Sequence, residues 1–176
     1  MVLLVSGCSY TEHIPSKDKI QKRWCHYVAD KLNMELINLG KGGAGNEYIF
    51  CSLYDAIIKN DKKPSMVIAA WSKSERRDYK VRGHWTNDRQ DLRGDLKYHL
   101  ERTNRYKKML SDLCRHRGIN YTSFQMIELY SKDRDNVQAK TIGFHNGWTP
   151  DFISESDKHP SDIGHEKIGK YIYENL

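Results

Sequence analysis

Long hydrophobic stretches are missing from this sequence. No apolar run approaches the roughly 20 residues that a membrane-spanning helix requires, which argues against an anchor of that kind. The amino terminus has neither the basic segment nor the cleavage site of a secretory signal, so we expect a cytoplasmic protein. Interdomain linkers, internal repeats and low-complexity tracts are missing as well. We therefore predict one domain over residues 1–176.

Cysteine is scarce and lacks the spacing of a metal site. The four residues are Cys8, Cys25, Cys51 and Cys114, and the last three fall in helix-like segments. Small buried thiols are therefore a better interpretation than a disulfide framework.

The composition is that of a folded protein with a basic surface. Hydrophobic residues make up 38% of the chain and aromatic residues 11%, which suffices for a sizeable core in 176 residues. The formal net charge is +6, yet lysine and arginine are spread along the chain and interrupted by acidic residues. We interpret most of them as solvated helix faces, so nucleic acid is not favoured as a partner.

Strand-like and helix-like segments alternate along the chain. Short apolar runs predict four strands, over residues 2–5, 34–39, 66–71 and 119–125. Helical periodicity predicts four helices, over about 17–33, 46–60, 92–116 and 161–174. A fifth strand is predicted as an option between residues 135 and 144. Residues 78–91 are predicted to form a long loop that is a lid or a wall of the site. The alternation predicts an α/β protein whose parallel sheet of four to five strands is covered on both faces.

The first strand ends in a turn that can carry chemistry. The apolar run Val2–Val5 is followed by Gly7 and, two residues later, by Ser9. In an open α/β sheet the ligand crevice lies beyond the carboxyl ends of the strands, which places the Ser9 hydroxyl at its mouth. The alternative is an ordinary tight turn in which Ser9 and Thr11 only cap the backbone.

A histidine near the other end of the chain is the partner that a serine nucleophile needs. His159 precedes the last predicted helix, and Asp157 lies two residues before it. Histidine can take a proton at neutral pH, and a neighbouring carboxylate can fix its tautomer. The alternative is a plain loop histidine beside a helix-end charge.

Residues 40–45 form the most glycine-rich part of the chain, between the second strand and the second helix. Such a turn exposes backbone N–H groups at a helix start. No Lys-Ser or Lys-Thr pair follows the last glycine, and the dinucleotide-binding spacing is absent. The sequence therefore predicts no nucleotide or other cofactor.

Three segments together resemble the sequence blocks of SGNH (GDSL-like) hydrolases. Residues 7–11, Gly-Cys-Ser-Tyr-Thr, are similar to the first block, Gly-x-Ser-x-Thr. Residues 38–43, Asn-Leu-Gly-Lys-Gly-Gly, are similar to the second, Asn-x-Gly-x-x-Gly. Residues 157–160 with Gly164 and His165 resemble the last block, which carries the acid and the base. The resemblance implies a flavodoxin-like three-layer α/β/α sandwich and a serine esterase that hydrolyses a small ester, such as an acetylated carbohydrate.

The resemblance also implies roles for individual residues. Ser9 is then the nucleophile, His159 the general base and Asp157 the acid that orients the base. The backbone N–H groups of Ser9 and Gly43 belong to the oxyanion hole, which stabilises the charge formed on the substrate carbonyl oxygen.

The chain departs from the family at three places. Cys8 stands where an Asp usually precedes the nucleophile, and Asp157 lies two rather than three residues before His159. The third block, Gly-x-Asn-Asp, is missing, and residues 71–76, Trp-Ser-Lys-Ser-Glu-Arg, occupy its place. One oxyanion donor is therefore absent, and loss of such a donor typically costs about 100- to 1000-fold in rate.

Two residues are candidates to compensate for this loss, and a third suits a different role. Asn46 begins the helix after the glycine-rich turn and is the first candidate for the oxyanion donor, with a simple helix cap as the alternative. Ser72 ends the third strand and ranks second. Arg76 suits a substrate carboxylate or phosphate better than an oxyanion. Ser72 and Arg76 are therefore predicted to bind substrate.

Two other kinds of site compete with the serine. Cys8 adjoins it, but the Cys8 side chain should point away from that of Ser9, into the packing at the strand end. Asp157, His159, Asp162 and His165 include metal-ligand types. Because Asp162 and His165 fall on the last helix, as expected of cap and surface groups, no metal is predicted.

Two other functions also stay open. A catalytically weak module that binds a carbohydrate or acyl ligand shares the same motifs. A basic nucleic-acid-associated protein would use loop aromatics for stacking, and the sequence offers Tyr79, Trp85, Phe144 and Trp148.

Overall fold

The structure, a computed structural model, describes residues 1–13, 22–59, 63–127, 140–141, 153, 156 and 159–176. Strands and helices follow one another along these residues in the order β1 (Val2–Ser6), α1 (Trp24–Leu32), β2 (Glu35–Asn38), α2 (Asn46–Lys59), β3 (Met66–Trp71), β4 (Arg77–Val81), β5 (His84–Asp88), α3 (Leu96–Arg117), β6 (Asn120–Gln125), β7 (Lys140–Thr141) and α4 (Asp162–Glu174).

Five of the strands form one parallel sheet in the order β2-β1-β3-β6-β7. In its centre Leu4 pairs with Ile37 on one side and with Val67 on the other. The predicted parallel α/β sheet of four to five strands is confirmed, with β7 as the fifth strand. Because the strands are parallel, the turns that follow β1, β2 and β3 meet at one edge of the sheet.

The two faces of the sheet are covered by different helices. Leu3 and Val5 of β1 pack in a cluster with residues of α1 and α4, whereas Leu4 packs in a cluster with residues of α2 and α3. This split follows from the two-residue period of a strand. These three side chains are no more than 1% exposed, and full burial of each stabilises the fold by about 1.5–3 kcal/mol. The three-layer α/β/α sandwich is confirmed.

Capping residues define several helix ends. The Asp95 side chain accepts a hydrogen bond from the Tyr98 N–H at the start of α3, and Gly118 ends that helix at φ +59°. The Ser161 side chain accepts from the Gly164 N–H at the start of α4. Capping thus makes α3 begin later than predicted. α1 begins at Trp24 rather than at about residue 17, and residues 17–21 of the predicted helix lie outside the described residues.

The segment predicted as a long loop over residues 78–91 is mostly an antiparallel hairpin, and that prediction is wrong. β4 and β5 pair over their full length and form a separate two-stranded sheet. Arg82 and Gly83 connect them with φ values of +49° and +82°. Two successive left-handed residues are the mark of a tight turn that matches the twist of a hairpin.

The described part of the chain can be inspected for membrane-spanning helices and for the state of its cysteines. None of its helices is long and apolar enough to span a membrane. All four cysteines are free thiols, with Cys8, Cys25 and Cys114 buried and Cys51 half-buried.

Candidate active site

The turn after β1 is shaped by close packing between Gly7 and Thr11. A Cβ atom at residue 7 would overlap with Thr11 Oγ1 and lie 2.9 Å from Thr11 Cβ, so only glycine fits. Thr11 Oγ1 accepts a hydrogen bond of 3.2 Å from Trp24 Nε1. The N–H groups of Thr11 and Glu12 both donate to the carbonyl oxygen of Cys8, at 2.8 and 3.0 Å. Ser9 is thereby held half-buried in the middle of the turn.

The side chain of Cys8 lies on the other side of this turn. Its exposed fraction is 0%, and it belongs to the buried core. The thiol is therefore not presented to a substrate, as the alternation of side chains from the strand leads one to expect.

His159 meets Ser9 across 150 residues of sequence. His159 Nε2 lies 2.9 Å from Ser9 Oγ, within the hydrogen-bond range expected of a general base and its nucleophile. The imidazole ring also packs on Tyr10, with ring centroids 5.3 Å apart and an interplanar angle of 59°. Asp157 lies outside the described residues.

A buried pair joins the serine turn to the helix behind His159. Arg23 is 3% exposed, and its Nη1 lies 2.7 Å from Nε2 of His165. The Arg23 Nε donates a hydrogen bond of 3.0 Å to the carbonyl oxygen of Glu12. Burial lowers the pKa of His165 to about 3, so its ring is neutral near pH 7 and can accept from the guanidinium.

This pair corrects the expectation for the last helix. His165 was expected on the surface, but it is fully buried because it packs beneath α1. Ser161 rather than Asp162 caps α4. Among the described residues no group of three His, Cys, Asp or Glu side chains could hold a metal ion.

The glycine-rich loop lies beside the serine turn. Asn38 connects the two, because its Oδ1 accepts from the Gly40 N–H at 2.9 Å while its Nδ2 donates to the Thr11 carbonyl oxygen at 2.7 Å. The Lys41 N–H donates to the carbonyl oxygen of Gly7 at 3.0 Å. A Cβ at residue 40 would lie 2.7 Å from the backbone of Thr11. These contacts explain the Asn-x-Gly pattern.

Two backbone donors are available at this junction. Gly43 has φ +72°, a conformation that favours glycine. Within the part of the chain that the structure describes, neither the Ser9 N–H nor the Gly43 N–H donates a hydrogen bond. One of these N–H groups belongs to the serine itself and the other to the adjoining glycine-rich loop, and unengaged backbone donors of this kind are the parts from which an oxyanion hole is built.

Asn46 is near this junction, but its amide is used inside the protein. The residue is 3% exposed, and its Nδ2 donates to the Ser72 carbonyl oxygen and to Thr103 Oγ1, both at 3.1 Å. Its Oδ1 accepts from the Ser72 N–H at 2.8 Å. With both amide hydrogens engaged, Asn46 ties the start of α2 to the end of β3 and to α3.

Ser72 and Arg76 also serve the framework. Ser72 is fully buried, and its Oγ accepts from Arg76 Nη1 at 2.8 Å, so the structure does not bring this hydroxyl to the crevice. The same Nη1 donates to the Ala44 carbonyl oxygen at 3.0 Å. Arg76 is half-buried and links the end of β3 to the glycine-rich loop.

Two further residues, which the sequence did not single out, complete this edge. The carboxylate of Asp78 in β4 accepts from the Gly45 N–H at 2.8 Å and from the Tyr48 N–H at 2.9 Å. Asn87 in β5 lies against Gly43. The only signal for Asp78 and Asn87 in the sequence was their position in a polar segment after β3. Their contacts with the glycine-rich loop and α2 depend on the pairing of the hairpin strands.

Comparisons with known proteins agree with this architecture. The sequence matches no protein-family model and no curated protein sequence. A solved structure from Desulfitobacterium hafniense DCB-2, ascribed to the G-D-S-L family of lipolytic proteins, superposes with a TM-score of 0.64 at 15% identity over 99% of each chain. The psychrotrophic esterase EstA from Pseudoalteromonas sp., in a structure inhibited by monoethylphosphonate, superposes with a TM-score of 0.60 at 13% identity over 98% of this chain and 94% of its own. The chain therefore has the fold of the SGNH (GDSL-like) hydrolases.

Proposed function

We propose that this chain is a serine esterase of the SGNH type that hydrolyses a small ester. The observation that carries the proposal is the 2.9 Å contact between Ser9 Oγ and His159 Nε2 at the carboxyl edge of the sheet. A serine hydroxyl becomes a nucleophile when an adjacent base takes its proton, and histidine is suited to this at neutral pH.

The proposed reaction has two halves. Ser9 Oγ attacks the ester carbonyl carbon while its proton passes to His159 Nε2, and the carbonyl electron pair moves to the oxygen. The N–H groups of Ser9 and Gly43 donate to that oxyanion. When the intermediate collapses, the alcohol leaves with the proton from His159 and the acyl group stays on Ser9. Water, activated by His159, then releases the acid.

The remaining roles follow from chemistry and resemblance. Asp157 is proposed to orient His159 and stabilise its charged form. Arg76 uses Nη1 in the framework and stays a candidate for contact with an anionic group of the substrate. An acetylated carbohydrate is the substrate class we propose, since Trp85 on the neighbouring hairpin offers a half-buried aromatic surface.

Hydrolysis of short-chain p-nitrophenyl esters tests the proposal. Ser9→Ala should lower the rate by at least about 1000-fold, and His159→Ala by a similar factor, because nucleophile and base act as a unit. Ser65→Ala is the matched control, since Ser65 precedes β3 at the opposite edge of the sheet, and it should retain the full rate. A Ser9→Ala variant with the wild-type rate would contradict the proposal.

The same preparation separates the rival functions. A binding module would retain an acetylated sugar without releasing acetate. A nucleic-acid-associated protein would bind single-stranded DNA with an affinity that falls steeply with salt.

A further inference from the structure

The hairpin β4–β5 directly follows residues 71–76, which occupy the place of the missing third block. It begins six residues after Trp71, the last residue of β3, and runs from Arg77 to Asp88. Arg102 holds its base, because Nη2 donates to the carbonyl oxygens of Ser74 and Arg76 at 3.2 and 3.1 Å. The hairpin is thus fixed to the edge where Ser9 lies.

Two side chains of this hairpin contact the glycine-rich loop. Asp78 and Asn87 are direct cross-strand partners, so their side chains share one face of the hairpin. Asp78 is 5% exposed and bonds the N–H groups of Gly45 and Tyr48. Asn87 therefore has to lie over the preceding residues of the same loop.

The contact between Asn87 and Gly43 is close. A Cβ atom at residue 43 would lie 2.8 Å from Asn87 Oδ1 and 3.0 Å from Nδ2, so the Asn87 amide lies directly against this glycine, whose φ is +72°. Nδ2 donates a long hydrogen bond of 3.5 Å to the Gly42 carbonyl oxygen. A primary amide has a second N–H hydrogen, and within the described ranges no partner accepts it.

The aromatic packing beside Asn87 keeps this face in position. The ring of Trp85 meets that of Tyr48 edge-on, with centroids 5.6 Å apart. The Tyr48 hydroxyl donates to the Leu39 carbonyl oxygen at 2.9 Å, at the start of the glycine-rich loop. The hairpin therefore contacts the loop at Gly42, Gly43 and Gly45, and Asn87 makes the contacts with the first two.

We propose that Asn87 is a catalytic residue that supplies the third oxyanion donor. Its Nδ2 would donate to the oxygen that becomes negatively charged when Ser9 attacks the ester, together with the N–H groups of Ser9 and Gly43. This inference rests on the proposed esterase function. It also explains how the site works although Asn46 and Ser72, the donors expected from sequence, are engaged in the framework.

Steady-state kinetics on a short-chain p-nitrophenyl ester test this role. Asn87→Ala should lower kcat by about 100-fold or more while KM changes less than about threefold, because the bond forms mainly in the transition state. Asn87→Asp keeps the shape but replaces the donor with an anion, so its kcat should fall at least as far. The control is Thr86→Ala, whose side chain lies on the opposite face of the hairpin and should leave kcat unchanged.

The outcomes separate the two proposals. If wild-type kcat survives in both Asn87 variants while Ser9→Ala is inactive, the donor role is wrong and the esterase function stands. If wild-type protein neither cleaves the ester nor reacts at Ser9 with a fluorophosphonate, both proposals fall. A kcat loss in Asn87→Ala that Asn87→Asp does not share would show a packing effect and overturn the donor role.

Discussion

The serine turn and the hairpin meet at one edge of the sheet, yet they are held there differently. The serine turn, residues 7–12, is tied to buried parts of the framework. Asn38 at the end of β2 donates to the Thr11 carbonyl oxygen, and the indole of Trp24, which is 0% exposed, donates to Thr11 Oγ1. The turn therefore keeps its shape as long as the central strands and α1 keep their packing.

The hairpin is held mainly through ionised side chains. The carboxylate of Asp78 bonds two N–H groups at the start of α2. The guanidinium of Arg102 lies 3.3 Å from the Asp91 carboxylate and bonds two carbonyl oxygens at the hairpin base. Burial raises the pKa of Asp78, which means that the protein interior disfavours the charged form of this carboxylate.

The two regions should therefore respond differently to mutation, in stability and in ester hydrolysis. A change in the serine turn should disturb the core and the proposed nucleophile Ser9 together. A change in the hairpin should mainly affect the half of the site proposed to bind the carbonyl oxygen, with a smaller loss of stability.

Gly7→Ala should have the largest effect on stability. The added Cβ would overlap with Thr11 Oγ1 and lie 3.0 Å from Ala70 Cβ, neither of which can move freely in the core. We expect a loss of about 3 kcal/mol in unfolding free energy, measured by urea denaturation, together with loss of ester hydrolysis.

Gly83→Ala at the hairpin tip is the matched control. No atom lies within 4 Å of the added Cβ, so only its φ of +82° opposes the change. The cost should be about 1 kcal/mol, with an unchanged ester rate. Equal losses in the two variants would contradict the contrast between the regions.

Asp78→Ala should destabilise the protein by about 2 kcal/mol, since two N–H groups lose their acceptor. Asp78→Asn keeps one acceptor oxygen, so about half of that loss is expected. Both variants free the hairpin and should lower kcat. Unchanged urea denaturation in Asp78→Ala would show that this carboxylate does not hold the hairpin.

The buried histidine behind the serine turn predicts a pH dependence. The unfolded chain binds a proton at His165 near pH 6.5, whereas burial lowers the pKa in the folded protein to about 3. Between these values the unfolded state binds more protons, so stability falls as the pH falls. From pH 7.5 to 5.5 this group should remove about 1.4 kcal/mol of unfolding free energy.

His165→Gln provides the comparison for this measurement. It keeps an acceptor for Arg23 but does not titrate, so its unfolding free energy should lack this component. A His165→Gln variant with the wild-type pH slope would refute the assignment of this pH dependence to His165.

The hairpin region should contribute to the pH dependence only under more acidic conditions. Hydrogen bonds from Arg93 lower the pKa of Asp91 to about 2, so the contribution of Asp91 to stability is lost only below about pH 4.

The sequence predicted the serine turn well because its shape depends on local chemistry and on the sheet. In a parallel α/β fold, an apolar strand followed by Gly7 and Ser9 can form few structures other than a turn at the carboxyl end of the strand. Bounds for β3 agree with the prediction, and the short blocks at residues 7–11 and 38–43 correspond to bonds that join neighbouring strand ends.

The hairpin could not be predicted in the same way. Its turn uses Arg82 before Gly83 rather than the Asn-Gly or Asp-Gly pair that signals such turns. The contacts of Asn46 could not be predicted for a related reason. Its place at a helix start was visible, but its bonds to Ser72 and Thr103 depend on how α2, β3 and α3 pack, which involves residues far apart in sequence.

A fluorophosphonate probe, mapped by mass spectrometry of the whole labelled chain, tests whether Ser9 is the nucleophile. We expect one modified residue, Ser9, with labelling slowed in His159→Ala because the base is lost. We expect no label on Cys8, which is buried. A label on Cys8 or on any other residue, or a label that persists in Ser9→Ala, would show that Ser9 is not the nucleophile.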